Sequence, residues 1–262
     1  MEQLDEELRA SAHHQEKGMP VNHASYDDIA EWYDSYLQEN PIYHEIVLPN
    51  LLELAGEMDG QTICDLACGQ GWIARELARR GAQVTGVDLA EHLLVLARGS
   101  EEREPLGIEY LQDDAQNAQT LTEASFDGTV CILALMTIPD LEAVFRTVRR
   151  ILKPGGWFVF TITHPCFETP HAGWLRTDEG TVVRTVGGYF HERFWTSRNP
   201  AGVRGRIGEH HRMLSTYLNT LIATGFAVEH MREPAARGKR AEQVPGEREV
   251  PSLLFLRAHK RG

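Results

Sequence analysis

Long hydrophobic runs are missing from these 262 residues. The longest apolar stretches, Val130 to Met136 and Trp157 to Ile162, fall far short of the roughly 20 residues a membrane-crossing helix needs. No membrane association is therefore expected. Cysteine is scarce as well: Cys64, Cys68, Cys131 and Cys166 lie in or beside predicted strands, without the paired spacing of a disulfide framework or a zinc site. Reduced thiols, a cytoplasmic setting and no metal are the expectation. Basic charge is in deficit, with 26 Lys and Arg against 38 Asp and Glu, a net −12. A protein that grips phosphate backbones needs the opposite balance, so nucleic acid is not an expected partner. The opening residues carry no basic start, apolar run or small-residue cleavage site, and residues 1–22 read as a flexible acidic tail rather than a signal peptide.

What remains suits one folded unit over residues 23–262, since 42% hydrophobic content can fill a single α/β core at this length. Short β-type runs alternate with amphipathic stretches, the pattern of βαβ units. Strands are predicted at Thr62 to Leu66, Gln83 to Asp88, Ile108 to Gln112, Thr129 to Leu133 and Trp157 to Thr163. Two more, at Phe226 to Met231 and Ser252 to Ala258, close the chain. Pro139-Asp140 opens a helix whose apolar residues Leu141, Val144, Phe145, Val148 and Leu152 share one face, and Lys153-Pro154-Gly155-Gly156 ends it. A helix is expected to begin near His211 and to end at Thr224-Gly225. Upstream, within 23–58, Tyr26, Ile29, Tyr33 and Tyr36 fall at helical spacing, as on a helical cap. Between the fifth strand and the His211 helix, residues 165–209 break the pattern and read as a lid-like insertion.

The segment Ile63-Cys64-Asp65-Leu66-Ala67-Cys68-Gly69-Gln70-Gly71-Trp72 ends a strand in an acid and turns through two glycines into a helix. Glycines there let backbone approach a ligand at the carboxyl ends of the strands. The second strand ends at Asp88, where a carboxylate can hold a ribose diol, and the third leads to Asp113-Asp114-Ala115. A dinucleotide site would carry a third glycine where Ala74 stands, and Asp65 before the turn repels phosphate while attracting a cation.

Together these stretches resemble the class I family of methyltransferases that use S-adenosylmethionine (SAM). DLACGQG is similar to its glycine-rich first motif, VDLA to its second-strand acid, DDA to its adenine-binding acid and ILKPGGWFVF to its helix-turn-strand signature, in matching order over roughly residues 25–260. The resemblance implies a Rossmann-like, seven-stranded, mostly parallel sheet with helices on both faces and an antiparallel last strand. It implies SAM as cofactor and S-adenosylhomocysteine as product. Asp65, Ala67, Gly69 and Gly71 would surround the methionine part. Asp88 would take both ribose hydroxyls, Leu89, Asp114 and Ala115 the adenine, and Cys131 or Ile132 would offer a backbone carbonyl to the ammonium. Tyr33 matches the aromatic that often covers the cofactor, although it equally suits a packing role.

Methyl transfer to an O–H or protonated amine also needs a proton removed, a task suited to histidine. Five of the twelve histidines, His164, His171, His191, His210 and His211, fall between the fifth strand and the next helix. His164, directly after the strand, is the candidate general base and His211 the weaker one, each weighed against an ordinary backbone-bonded histidine. Tyr36, Trp174, Tyr189, Phe194 and His210 are candidate acceptor-binding residues, and packing of the insertion on itself would use the same side chains. Cys131-Ile132-Leu133-Ala134-Leu135 stands where base N-methylating relatives carry an N/D-P-P-Y type motif. That departure favours a small, aromatic or apolar metabolite methylated on oxygen or nitrogen by a monomer or homodimer. C-methylation, a rearrangement on the same fold, or SAM binding without catalysis are the alternatives.

Overall fold

A computed structural model describes residues 25–197 and 199–262; the tail expected over residues 1–22 lies outside the described residues. The chain enters through a 3-10 turn, Asp27–Ile29, and helix α1, Ala30–Glu39. A π-turn at Tyr43–Val47 then runs into α2, Leu48–Ala55. The alternating part follows as β1 (Thr62–Leu66), α3 (Trp72–Ala78), β2 (Gln83–Asp88), α4 (Glu91–Arg103), β3 (Glu109–Gln112), β4 (Phe126–Ile132), α5 (Leu141–Ile151) and β5 (Leu152–Thr163). Asp140 caps α5, its side chain accepting from the Ala143 N–H at 2.9 Å, as Pro139-Asp140 led one to expect. The Lys153 to Gly156 turn is absorbed into β5, where the pairing with β4 shifts between Phe126 and Gly128 and Gly155 takes φ +74°.

The insertion is built of two small hairpins. The strands β6 (Gly173–Arg176) and β7 (Val182–Thr185) form one; β8 (Arg193–Trp195) and β9 (Glu209–His211) form the other, with a helical turn α6 (Val203–Arg206) between them. His210 and His211 therefore lie in a strand, and the helix expected from His211, α7, spans Leu214–Ala223. The chain ends with β10 (Phe226–Arg232), α8 (Gly238–Gln243) and β11 (Leu253–Lys260).

The main sheet has the order β10-β11-β5-β4-β1-β2-β3, parallel except that β11 runs antiparallel to both its neighbours. Adjacent residues of the central strands feed opposite cores, because side chains alternate across a strand. Ile63, Val130 and Val159 join the side with α2 and α3, while Cys64, Cys131, Phe158 and Phe160 join the side with α5 and α7. Both faces are covered, which explains the apolar runs Val130 to Ile132 in β4 and Trp157 to Phe160 in β5. Among the described residues no helix is long and apolar enough to cross a membrane.

Chain order makes the site. From β1 the chain moves outward through β2 and β3, then returns to lay β4 on the other side of β1. The carboxyl ends of β1 and β4 thus part at a topological switch point, where open α/β sheets bind ligands.

Candidate active site

At that point Asp65, in β1, is buried with 1% of its surface exposed. Burial pushes its carboxyl up to about 7, the Ala74 N–H pulling against this and the charge of Asp88 adding to it. Among the described residues its Oδ2 has no hydrogen-bond partner. A buried carboxylate left in this state is costly unless something cationic arrives. It faces a crevice of about 40 Å³ lined by Ala67, Gly69, Gln70, Ile132 and Tyr33, room for one end of a ligand. Ala67 (φ +60°) and Gly69 (φ +57°) turn the backbone around it.

Asp88 binds the glycine turn from the side. Its Oδ2 accepts from the Gly69 N–H at 2.7 Å and its Oδ1 from the Ala90 N–H at 2.8 Å. Each carboxylate oxygen keeps a further acceptor position, and Leu89, 63% exposed, continues the rim outward. Asp114 accepts from the Gln116 N–H at 2.9 Å and Ala115 is buried in the core. Asp113 ties the same loop, accepting from the Asp114 and Thr120 N–H groups. Of the two residues proposed for a carbonyl, Ile132 reaches the crevice, whereas the Cys131 side chain packs in the core. Gly71 does not line the crevice. It must be glycine because φ is +79° and a Cβ there would lie 2.3 Å from Tyr110 Oη.

Tyr33 and Tyr43 also wall a second cavity, of about 360 Å³. Its aromatic side is Tyr26, Tyr33, Tyr36 and Tyr43, with Tyr26 edge-on to Tyr33 at 5.1 Å between ring centres. Burial pushes the phenols of Tyr26 and Tyr33 upward, so both stay neutral. The opposite side is polar: Thr163 at the end of β5, and Glu168, Arg204 and Glu209 from the insertion. Arg204 donates to Glu168 at 2.7 Å and reaches Glu209 at only 3.5 Å, while Arg184 also binds Glu168.

Among the residues expected to bind the acceptor, Tyr36 lines this cavity and the others do not. Trp174 lies over Gly246 with Arg184 stacked on it at 4.8 Å. Tyr189 accepts from the Leu214 N–H at 3.1 Å. Phe194 sits against Gly208 and, 5.0 Å away, edge-on to His210, whose N–H donates to Met136. These rings pack within the insertion and tie it to the Gly246 turn and the start of α7.

The two candidate histidines stand outside these cavities. His164 is 1% exposed and lines neither cavity. Its Nε2 lies 2.6 Å from Glu233 Oε1 and its Nδ1 accepts from the Cys166 N–H at 3.2 Å. With both ring nitrogens engaged, it pins the entry to the insertion. His211 is buried, its Nε2 bonded to the Tyr189 carbonyl at 2.8 Å. The carboxylates Glu168 and Glu209 were not singled out in the sequence, and no spacing there marks them.

Comparison with known proteins places the fold in a family. Residues 64–160 match a family model described as a methyltransferase domain. A SAM-dependent methyltransferase crystal structure from Mesorhizobium loti superposes with a TM-score of 0.71 and 33% identity, covering 86% of this chain and all of that one. The chain belongs to the family of SAM-dependent methyltransferases. The methyltransferase is also 30% identical over 187 residues to the ubiquinone biosynthesis O-methyltransferase of Sodalis glossinidius, covering 70% of this chain and 74% of that protein. The identity is 32% over 134 residues with the Bordetella avium protein of the same name, where the match spans 50% of this chain and 56% of the relative. The chain thus spans between about half and three quarters of the length of these relatives. SAM is the cofactor, and the unpartnered Asp65 oxygen fits the ammonium of its methionine end.

Proposed function

We propose that this methyltransferase passes the methyl group of SAM to an oxygen of a small metabolite bound in the 360 Å³ cavity. One observation carries the reading: a buried carboxylate with one unpartnered oxygen at the switch point shares a tyrosine wall with a cavity of metabolite size. The names of the relatives support oxygen as the acceptor atom.

In this reading Asp65 holds the ammonium, with a backbone carbonyl of Ile132 or Cys131 beside it. Ala67 and Gly69 shape the turn around the methionine chain, and Gly71 supports it from behind. Asp88 accepts from the two ribose hydroxyls, and Leu89, Asp114 and Ala115 flank the adenine. When bound, SAM supplies an electrophilic methyl on a sulfonium. The protein's own contribution is alignment, an effect that can supply about 7–11 kcal/mol. Tyr33 divides the two cavities, Tyr26 and Tyr36 hold the acceptor ring, and residues 165–209 with the N-terminal helices exclude water.

The test is a thermal-shift series with SAM, S-adenosylhomocysteine and NAD, followed by transfer of labelled methyl to small hydroxylated aromatics. Stabilisation by the first two, its loss in Asp88→Ala, and label in the product are expected. Stabilisation by NAD alone would overturn the reading.

A further inference from the structure

Glu209 is the polar group of the acceptor cavity best placed to do chemistry. It sits in β9, 2% exposed, at the wall formed with Thr163 from the carboxyl end of β5. Among the described residues two contacts reach its carboxylate, Thr163 Oγ1 and Arg204, each at 3.5 Å, the outer limit of a hydrogen bond. Arg204 cannot close on it, because its other nitrogen is held at 2.7 Å by Glu168. The buried carboxylate therefore keeps acceptor capacity at the cavity wall. Tyr26 links it to the cofactor side: it lines the same cavity, feels the charges of both Asp88 and Glu209 and packs on the Tyr33 ring that walls the cofactor crevice.

We propose that Glu209 is the general base that takes the acceptor's proton, with Arg204, held by Glu168, as the residue that positions it. The step balances: the acceptor O–H gives its proton to the Glu209 carboxylate and the oxygen forms a bond to the methyl carbon. The carbon–sulfur bond breaks with its electron pair going to sulfur, and the proton returns to solvent as products leave. The proposal rests on the reading above, that the acceptor occupies this cavity and reacts through oxygen.

The charges around Glu209 fit this task. Burial pushes its carboxyl up, Arg204 pulls it down, Glu168 pushes it up again, and the result is about 7. Tyr26 and Tyr217 are the other titratable groups that feel it. A base of that strength works near neutral pH. Taking the proton of a phenol, ordinarily near 10 as in tyrosine, is uphill by about 10³-fold. For an alcohol as weakly acidic as water, 15.7, the gap is about 10⁹-fold. The tyrosine wall and this acidity together select a ring hydroxyl.

The experiment measures S-adenosylhomocysteine release from the full chain, wild type and Glu209→Gln, with catechol and 4-nitrocatechol as probes. The second probe carries a hydroxyl already ionised near neutral pH and needs no base. The variant should lose about 100-fold or more with catechol, in the range a general base contributes, and less than about threefold with 4-nitrocatechol. Equal losses on both probes, or none, would overturn the proposal. If the wild type binds S-adenosylhomocysteine but methylates neither probe, the ring-hydroxyl assignment falls; if it does not bind the product at all, the cofactor reading fails instead. Glu168→Gln frees Arg204 to close on Glu209, so the acid limb of the catechol pH profile should move down by about one pH unit. An unmoved limb would mean that Glu209 is not the group whose titration the reaction reports and would overturn the proposal, so this variant decides the matter should Glu209→Gln not fold.

Discussion

Asp65→Asn should make the ligand-free protein more stable and at the same time unable to hold its cofactor. The Asp65 carboxyl is raised from 3.8 to about 7, chiefly by burial. An acid raised on folding binds its proton more tightly in the native state, so stability falls as pH rises from about 4 to about 7 and stays low above that. The charge penalty is about 4 kcal/mol at pH 8 and about 2 kcal/mol at pH 5. Asparagine carries no such titration. Its own packing cost is the same at both pH values, which leaves about 2–3 kcal/mol as the change in the difference between the two proteins. At about 2–4 °C per kcal/mol for a domain of this size, the melting temperature of the variant relative to wild type should gain about 5–10 °C between pH 5 and pH 8. S-adenosylhomocysteine should raise the melting temperature of the wild type through binding linkage and do so far less in the variant. A constant offset at the two pH values would refute the burial argument, and undiminished ligand stabilisation would refute the role of Asp65 toward the ammonium.

Two further outcomes follow from the geometry. His164→Ala removes two hydrogen bonds from a buried ring outside the cavities, so urea unfolding should show a loss of about 1–3 kcal/mol with turnover within about threefold of wild type. A tenfold fall in turnover at unchanged stability would return His164 to the reaction. Gly71→Ala puts a methyl 2.3 Å from Tyr110 Oη at a φ of +79° and should cost about 2 kcal/mol or more, with reduced affinity for S-adenosylhomocysteine as the turn shifts; an alanine variant as stable as wild type would mean the turn relaxes freely.

The cofactor side of the site was legible because its residues are contiguous. Asp65 to Gly71 and Val87 to Leu89 each end a strand of the parallel sheet, so once the apolar runs were read as strands, the carboxylates fell at one edge. The main sheet was legible for the same reason, its central strands being apolar on both faces. The acceptor side was not. Tyr26, Thr163, Glu168, Arg204 and Glu209 come from separate stretches, and the strands of the insertion that bring them together are three or four residues long. Such strands are too short and too polar for a period-two pattern to show. His210-His211 looked like the start of the helix that begins three residues later. The histidines drew attention because their ordinary pKa lies near neutrality, while a glutamate acquires that value only from its surroundings, which spacing does not reveal.

That contrast bears on why the fold keeps two buried carboxylates, Asp65 and Glu209, both pushed to about 7, on the two sides of the tyrosine wall. Burial raises both, but their partners differ in kind. Among the described residues Asp65 has a backbone N–H and an oxygen with no partner, so in the proposed reading the positive charge it lacks comes with the ligand. Glu209 has an arginine at arm's length whose charge is shared with Glu168, so it remains able to exchange a proton while the cavity is filled. The same elevation therefore serves attraction on one side and proton transfer on the other, as when neighbouring acids in one active site are separated in role by their surroundings. An arginine brought fully onto Glu209 would fix it as a permanent anion and a poorer base. It follows that the 3.5 Å separation from Arg204, an ineffective salt bridge by the standards of stability, is the arrangement that proton transfer at neutral pH requires.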